Sequence, residues 1–378
     1  MDLPPALASR FAQVPQWWTN AKFGIFIHWV PASVPAFAPT KSDITEVLTS
    51  GIDNPIAEMP YSEWYQNSLR FPNSSVARFH REQYGERPYE TFADDFTAGC
   101  EQWDPADWAE RFAAAGAKYV VMVTKHHDGW CLWPSGVENP NRSGWCSPRD
   151  LVGELAEAVR SAGMRFGLYY SGGYDWTFDS APIGTLVDGV LAAPRGPYID
   201  YADAQVRELI DRYEPDVLWN DISWPSSFGR LVELFEYYYQ VVPDGVVNDR
   251  WMTVPDHPNF WRIPGVKRLF NAIGTRSIAK QGLIPPKPKF FQFRTPEFTS
   301  GNSITDAPWE VTRGMDKGFG YNHTSTEADY LSREELFTSI DSTHAAGANF
   351  LLNVGPRGVD AQIPPEQIER LDWLAERR

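Results

Sequence analysis

Ser147–Gly173, SPRDLVGELAEAVRSAGMRFGLYYSGG, reads as one helix handing the chain to one strand. Ser147-Pro148 with Asp150 has the form of a capping box with proline at the first helical position. Leu151, Leu155, Val159 and Ala162 then share one helical face, a stripe suited to packing on a sheet. Gly163 supplies the left-handed residue that ends such a helix, and Arg165–Ser171 follows with the aromatic and apolar character of a strand. The handover recurs upstream, where Asp104-Pro105 with Asp107 starts a helix, Gly116 ends it and Lys118–His127 follows. Downstream, Ser332 with Glu335 opens a helix ahead of Asn349–Val354.

Eight such runs are predicted: Lys22–Trp29, Lys118–His127, Arg165–Ser171, Val217–Asp221, Val246–Trp251, Phe290–Phe298, Gly318–Asn322 and Asn349–Val354. Apolar runs alternating with amphipathic segments mark an α/β protein, and this number points to a (β/α)8 TIM-like barrel rather than an open doubly wound sheet. No GxGxxG or GxxxxGK[ST] follows any strand, so a nucleotide fold has no support. One catalytic domain, 1–378, is expected, closed by a helix over Pro365–Arg377. Two stretches break the rhythm. Residues 31–97 form a long connection with a short helical piece at Ser62–Leu69, and loops of that length usually carry function. Residues 251–296 form a basic insertion between strands five and six, with eight Lys or Arg (Arg262, Lys267, Arg268, Arg276, Lys280, Lys287, Lys289, Arg294) against Asp256. Its +7 leaves the remainder at −22. Val266, Leu269, Phe270 and Ile273 give it an apolar stripe that needs cover, from the barrel itself or a neighbouring subunit in a homo-oligomer.

Lys+Arg 34 against Asp+Glu 49 gives −15, and protonating all 7 His would still leave −8, which excludes nucleic acid as a general partner. Hydrophobic content of 43% with 22% charged residues is globular, and no apolar window is long enough to span a membrane. The start lacks a basic region followed by an apolar stretch, so a cytoplasmic location is expected. Cys100, Cys131 and Cys146 form no CxxC pair and read as buried thiols. The unusual quantity is 14% aromatic residues, with 16 Trp, 16 Tyr and 22 Phe, a surplus that a cleft for a sugar or an apolar ligand would use.

Barrel enzymes take their reactive side chains from the C-terminal ends of strands. Here those ends present His28; His126, His127 and Asp128; Tyr169 and Tyr170; Trp219, Asn220 and Asp221; Asn248, Asp249 and Arg250; Glu297; and Phe319 with Tyr321. Any one of them alone is a common loop cap. As a set, carboxylates, neutral histidines and indole faces suit glycoside hydrolysis, which needs a proton donor for the leaving oxygen and a nucleophile or base for the oxocarbenium-like centre. A metal-dependent barrel hydrolase is the chemical alternative. Adjacent His126 and His127 should point to opposite sides of a strand, unlike an H-x-H ligand pair, which argues against it. A serine hydrolase lacks its G-x-S-x-G.

KFGIFIHW, EWYQNSL, TKHHDGW, RDLVGELAEAVRSAGMRFGLYYSGG, PDVLWND, VNDRW, WEVTRG, FGYN and NFLLNVGPRG together resemble the catalytic domain of α-L-fucosidases of glycoside hydrolase family 29, from about Trp17 onward. The resemblance implies a barrel, cleavage of terminal α-L-fucose from fucosylated glycans with retention, and no cofactor or metal. It makes Asp221 of LWND the nucleophile, where the residues alone also offer Asp249. It makes Glu297 of RTPEF the acid/base, with Glu310 of PWEVTRG as runner-up. It places His28, Glu63, Trp64, His126, His127, Tyr169, Trp219, Arg250 and Phe319 around the fucose. Family members commonly continue into a C-terminal β-sandwich, which is not expected here because the sequence stops at Arg378. Asp221 should be ionised beside Arg250, Glu297 protonated, and the two carboxyls about 5 to 5.5 Å apart. A fucose-binding barrel without turnover would keep the same aromatic wall.

Overall fold

The computed structural model describes residues 3–253, 258–299, 304 and 307–377. Its centre is a parallel sheet of seven strands: β1 (Phe23–Ile27), β2 (Tyr119–Lys125), β3 (Arg165–Ser171), β4 (Val217–Asp221), β5 (Val246–Val247), β6 (Glu310–Gly314) and β7 (Asn349–Val354). They run in the order β5-β4-β3-β2-β1-β7-β6. Nearly every strand residue is buried, as expected of parallel strands covered on both faces. Helices follow the strands with the predicted punctuation. Asp104 caps Pro105–Ala115, and Gly116 at φ 106° ends it. Ser332 and Glu335 form a full capping box on Arg333–Ala345. The helix Leu151–Ser161 is capped by Asp150, not Ser147, because the Asp150 carboxylate reaches the Gly153 amide at 2.9 Å. Ser147 instead closes a turn with Arg149.

Two of the eight expected strands differ. Gly318–Asn322 is not a strand: Asp316 accepts the Gly318 amide and the Ser325 hydroxyl, and two glycines complete a turn. The strand at this place is β6, whose Val311 and Thr312 had the β-branched character the glycine-rich run lacks. Phe290–Phe298 contains Pro296, which cannot donate to a ladder, so it makes single bridges instead. Gln292 pairs with Val247 of β5 through its amide and side-chain oxygen, while Arg294 and Glu297 bridge Trp309 and Thr312 beside β6. Both free edges of the sheet are therefore tied to this one segment, consistent with a (β/α)8 barrel. β5 is shorter than predicted because the Asn248 amide replaces the backbone, bonding Asn220 N at 3.0 Å and Asn220 O at 2.8 Å.

The long connection is more helical than expected, with helices at Ile44–Thr49, Ser75–Tyr84 and Phe92–Gly99 beside Tyr65–Leu69. In the basic insertion, Pro264–Gln281 is a helix with no buried residue. Its apolar stripe splits: Val266 and Phe270 turn inward, but Leu269 and Ile273 are 58% and 50% exposed. The inward row runs at spacing of four, not alternately three and four. Asp256 lies outside the described residues. Cys100 and Cys131 are buried free thiols, and Cys146 is half-buried.

Lys125, on β2, pairs with Asp175 at 2.8 Å, both side chains fully buried. Burial pulls the Lys125 ammonium down, yet Asp175 and the Tyr170 and Tyr198 hydroxyls hold it well above its ordinary value. Asp175→Asn should strand that charge and cost about 3 to 5 kcal/mol in urea unfolding. Adding Lys125→Met should recover most of the loss; a single substitution costing under about 1 kcal/mol would show that the pair is readily solvated.

Candidate active site

At the C-terminal ends of the strands, side chains converge on a narrow cavity of about 100 Å³. All eleven residues expected around the sugar line it: His28, Glu63, Trp64, His126, His127, Tyr169, Trp219, Asp221, Arg250, Glu297 and Phe319. The runner-up carboxylates do not. Glu310 starts β6, at the opposite end of the sheet, and takes a hydrogen bond from the Tyr119 hydroxyl. Asp249 accepts from Arg294 at 2.6 Å and from the Thr295 amide and hydroxyl, which fastens the 290–298 segment behind Arg250.

Asp221 ends β4 and accepts three hydrogen bonds: Arg250 Nη1 at 2.8 Å, Tyr169 Oη at 2.7 Å and Ile222 N at 2.8 Å. Arg250 Nη2 donates to Glu297, so one guanidinium spans both carboxylates. Burial raises Glu297 above the usual carboxylate range, and Asp221 adds to this; Arg250 acts the other way without overcoming it. Directly after each carboxylate the backbone is left-handed, at Ile222 (φ 68°) and Phe298 (φ 49°). Neither is glycine, and such a conformation costs an L residue about 1 to 2 kcal/mol. At Ile222 the turn brings the amide back onto Asp221, where it fixes one carboxylate oxygen.

The histidines are neutral. Burial lowers His28 to about 4 and takes His126 and His127 well below their ordinary value. Their tautomers follow from their partners. Asn353 Nδ2 donates to the Phe319 carbonyl, so its Oδ1 faces His28 Nδ1 at 2.6 Å and that nitrogen carries the hydrogen. Ser171 donates to the Tyr174 carbonyl and so accepts from His127 Nδ1 at 2.7 Å. Both Nε2 atoms are left as acceptors for a hydroxyl. His127 Nε2 stands 3.9 Å from Asp221 Oδ2. Glu63 supplies the opposite polarity: burial raises it to about 8, and it accepts the Gly320 amide at 2.8 Å while its proton remains free to donate. A Cβ at Gly320 would meet Ser62 Oγ at 2.6 Å, so only glycine lets that amide approach.

The expected opposition of His126 and His127 is not found. Their ring centroids are 4.0 Å apart and both line the cavity. β2 ends at Lys125 after an irregular register, and the chain is already turning at these residues, so strand alternation no longer applies. Among the described residues no group of three or more His, Cys, Asp or Glu is placed to hold a metal ion. No helix among them is long and apolar enough to cross a membrane.

A family model described as Alpha-L-fucosidase matches residues 6–376. The chain belongs to the alpha-L-fucosidase family. It is a glycoside hydrolase. The tissue alpha-L-fucosidase of Rattus norvegicus is 31% identical over 384 residues, covering 98% of this chain and 70% of its own length. The human tissue alpha-L-fucosidase is 30% identical over 391 residues, covering 98% of this chain and 69% of its own. Thermotoga maritima alpha-fucosidase, in complex with fucose, is 42% identical with a TM-score of 0.77, covering 97% of this chain and 74% of that one.

In this fucosidase-family cavity, three lining residues were missed by the sequence reading: Phe26, Tyr61 and Ile222. Phe26 had a signal, because it lies two residues before His28 in the predicted run Lys22–Trp29 and so shares its face. Its ring meets Trp219 at 5.2 Å. Tyr61 comes from the long connection, where no periodicity ties it to the site, and it packs edge-on against Phe319 at 5.4 Å.

Proposed function

We propose that the protein hydrolyses terminal α-L-fucosyl linkages of fucosylated glycans with retention, on a (β/α)8 barrel whose eighth place is taken by residues 290–298. What carries the reading is Arg250 bridging Asp221 and Glu297 inside one cavity of neutral histidines and aromatic rings. Asp221 attacks the anomeric carbon while Glu297 gives its proton to the departing oxygen. Water then displaces Asp221 from the glycosyl-enzyme, with Glu297 taking the water's proton. His28 and His127 accept from sugar hydroxyls through Nε2, and Glu63 donates to one. Trp64, Trp219 and Phe319 pack against the ring edge and the fucose methyl. An apolar wall there favours fucose over a sugar with a hydroxymethyl group.

The helix Pro264–Gln281 supports a rim role. Ile278, Leu283 and Phe298 pack on the small cluster that holds Tyr61 and Phe319, and Lys267 pairs with Asp188 at 2.6 Å. Its outward Arg268, Leu269, Ile273 and Arg276 stay free for a glycan or a second subunit. The direct test is release of p-nitrophenol from the α-L-fucoside beside the α-galactoside. Turnover should favour the fucoside by at least about tenfold and survive chelation followed by desalting. Fucose binding without turnover would leave a lectin-like barrel, and loss on chelation that zinc restores would leave a metal hydrolase.

A further inference from the structure

Seven large hydrophobic side chains are exposed among the described residues, and six of them stand on one lobe: Ile52, Val190, Phe260, Ile263, Leu269 and Ile273. The elements beneath them touch one another. The helix Pro264–Gln281 packs on the short 3-10 turn Pro258–Arg262 and on the helices Ile44–Thr49 and Leu186–Leu191. Exposed apolar residues scattered singly need no explanation, but a set gathered on one lobe marks a surface that a partner covers.

The lobe is held firmly from below. Asn271 Oδ1 accepts the Val187 amide at 3.0 Å, and Lys267 pairs with Asp188 at 2.6 Å. A Cβ at Gly274 would meet Leu186 Cδ1 at 2.7 Å, so the two helices lie close together. The inward row of Pro264–Gln281 is engaged in these contacts, while Leu269 and Ile273 of the outward row face solvent. Past its end, the Leu283 carbonyl accepts the Glu297 amide at 2.9 Å, which ties the lobe to the segment bearing that carboxylate.

Charge decides what covers it. The helix carries four basic residues and no acid. Lys267 is paired with Asp188, whereas Arg268, Arg276 and Lys280 are exposed and make no ion pair among the described residues. Around the helix Ile44–Thr49, Asp43, Glu46 and Asp53 are exposed and make none either. Two helices that pack together thus carry rows of opposite sign that do not neutralise each other. Such a surface is complementary to itself, because a two-fold axis sets the basic row of each copy against the acidic row of the other. An anionic lipid surface would attract Arg268 and Arg276 but repel Glu46 and Asp53. A glycan would be held by aromatic faces, and five of the six exposed side chains are aliphatic. We propose that this lobe is the docking surface for a second copy of the chain in a two-fold dimer, with Leu269 and Ile273 packed at its centre and Arg268 and Arg276 facing the acidic row of the other copy.

Sedimentation velocity of the intact chain at micromolar concentration tests this, and it should show a species of twice the chain mass. Leu269→Gln with Ile273→Gln, both at exposed positions, should weaken the dimer at least about tenfold. Arg268→Glu with Arg276→Glu should weaken it to a similar extent, and adding Glu46→Lys with Asp53→Lys should return it to within about threefold of wild type. A monomer at every concentration, or a dimer that neither pair of substitutions weakens, would overturn the surface. Failure of the fourfold exchange to restore the dimer would overturn the charge pairing. A monomer that sediments with phosphatidylglycerol vesicles would assign the lobe to a membrane surface instead. No readout depends on turnover, so the outcome is separate from that of the proposed reaction.

Discussion

Asp221→Gly is expected to lower turnover of an activated aryl α-L-fucoside on the order of a thousandfold or more, and added azide to restore it. Removing the side chain deletes the attacking oxygen but leaves Arg250 its contact with Glu297, so the charge beneath the cavity keeps a partner. In the proposed mechanism the vacated space faces the side of the sugar opposite the leaving group. Azide entering there displaces the aryl group in one step and gives the inverted β-fucosyl azide, which nuclear magnetic resonance identifies. Near-normal activity of Asp221→Gly would remove Asp221 from the mechanism. Asp249→Asn should behave differently: it loosens the Arg294 and Thr295 contacts, lowers stability, and is not rescued by azide. Rescue of Asp249→Asn in place of Asp221→Gly would exchange the two assignments.

Glu297→Ala should separate substrates by leaving group. A basic sugar oxygen cannot depart without a proton, so natural glycosides should lose about 100-fold to 10,000-fold, whereas a nitrophenolate or fluoride needs no proton and should suffer far less in the first step. The pH profile supplies a second reading. Burial holds Glu297 above the usual carboxylate range, and the proposed first step needs its protonated form, so wild-type activity should fall as pH rises through that value. In Glu297→Ala this alkaline limb should vanish for the activated substrate. The same selective loss in Glu310→Ala, with Glu297→Ala almost unaffected on both substrates, would transfer the role to Glu310. The structure gives Glu310 little means of doing so: it is fully buried at the far end of the sheet, raised to about 8 by burial, and bonded to Tyr119.

What the sequence made legible was local. Arg165–Ser171, Val217–Asp221 and Asn349–Val354 match their strands end to end, because their pairing is backbone to backbone and each carries a run of apolar or aromatic side chains. The reading failed where side chains take over the backbone's work. Asn248 substitutes for the β5 ladder, Asp316 bends the chain where GFGYN looked extended, and Pro296 breaks a strand into single bridges. The cavity itself was legible through the family resemblance more than through pattern. Strand ends could nominate His28, Asp221 or Arg250, but Glu63 and Trp64 sit on a connection whose path across the barrel mouth no periodicity reports. His126 and His127 show the limit most clearly. Alternation is a property of the strand, and the strand ends one residue before them.

The left-handed backbone at Ile222 and Phe298 has a bearing on the heat resistance of the molecule. Glycine at either position would release about 1 kcal/mol of strain, but it would also remove a side chain that packs on the cluster around Tyr61 and Phe319. At position 222 the relaxed backbone would also free the amide that now fixes one oxygen of Asp221, and the carboxylate would sample directions from which it cannot attack. At position 222 the same strained residue therefore holds both the packing beside the cavity and the aim of the carboxylate.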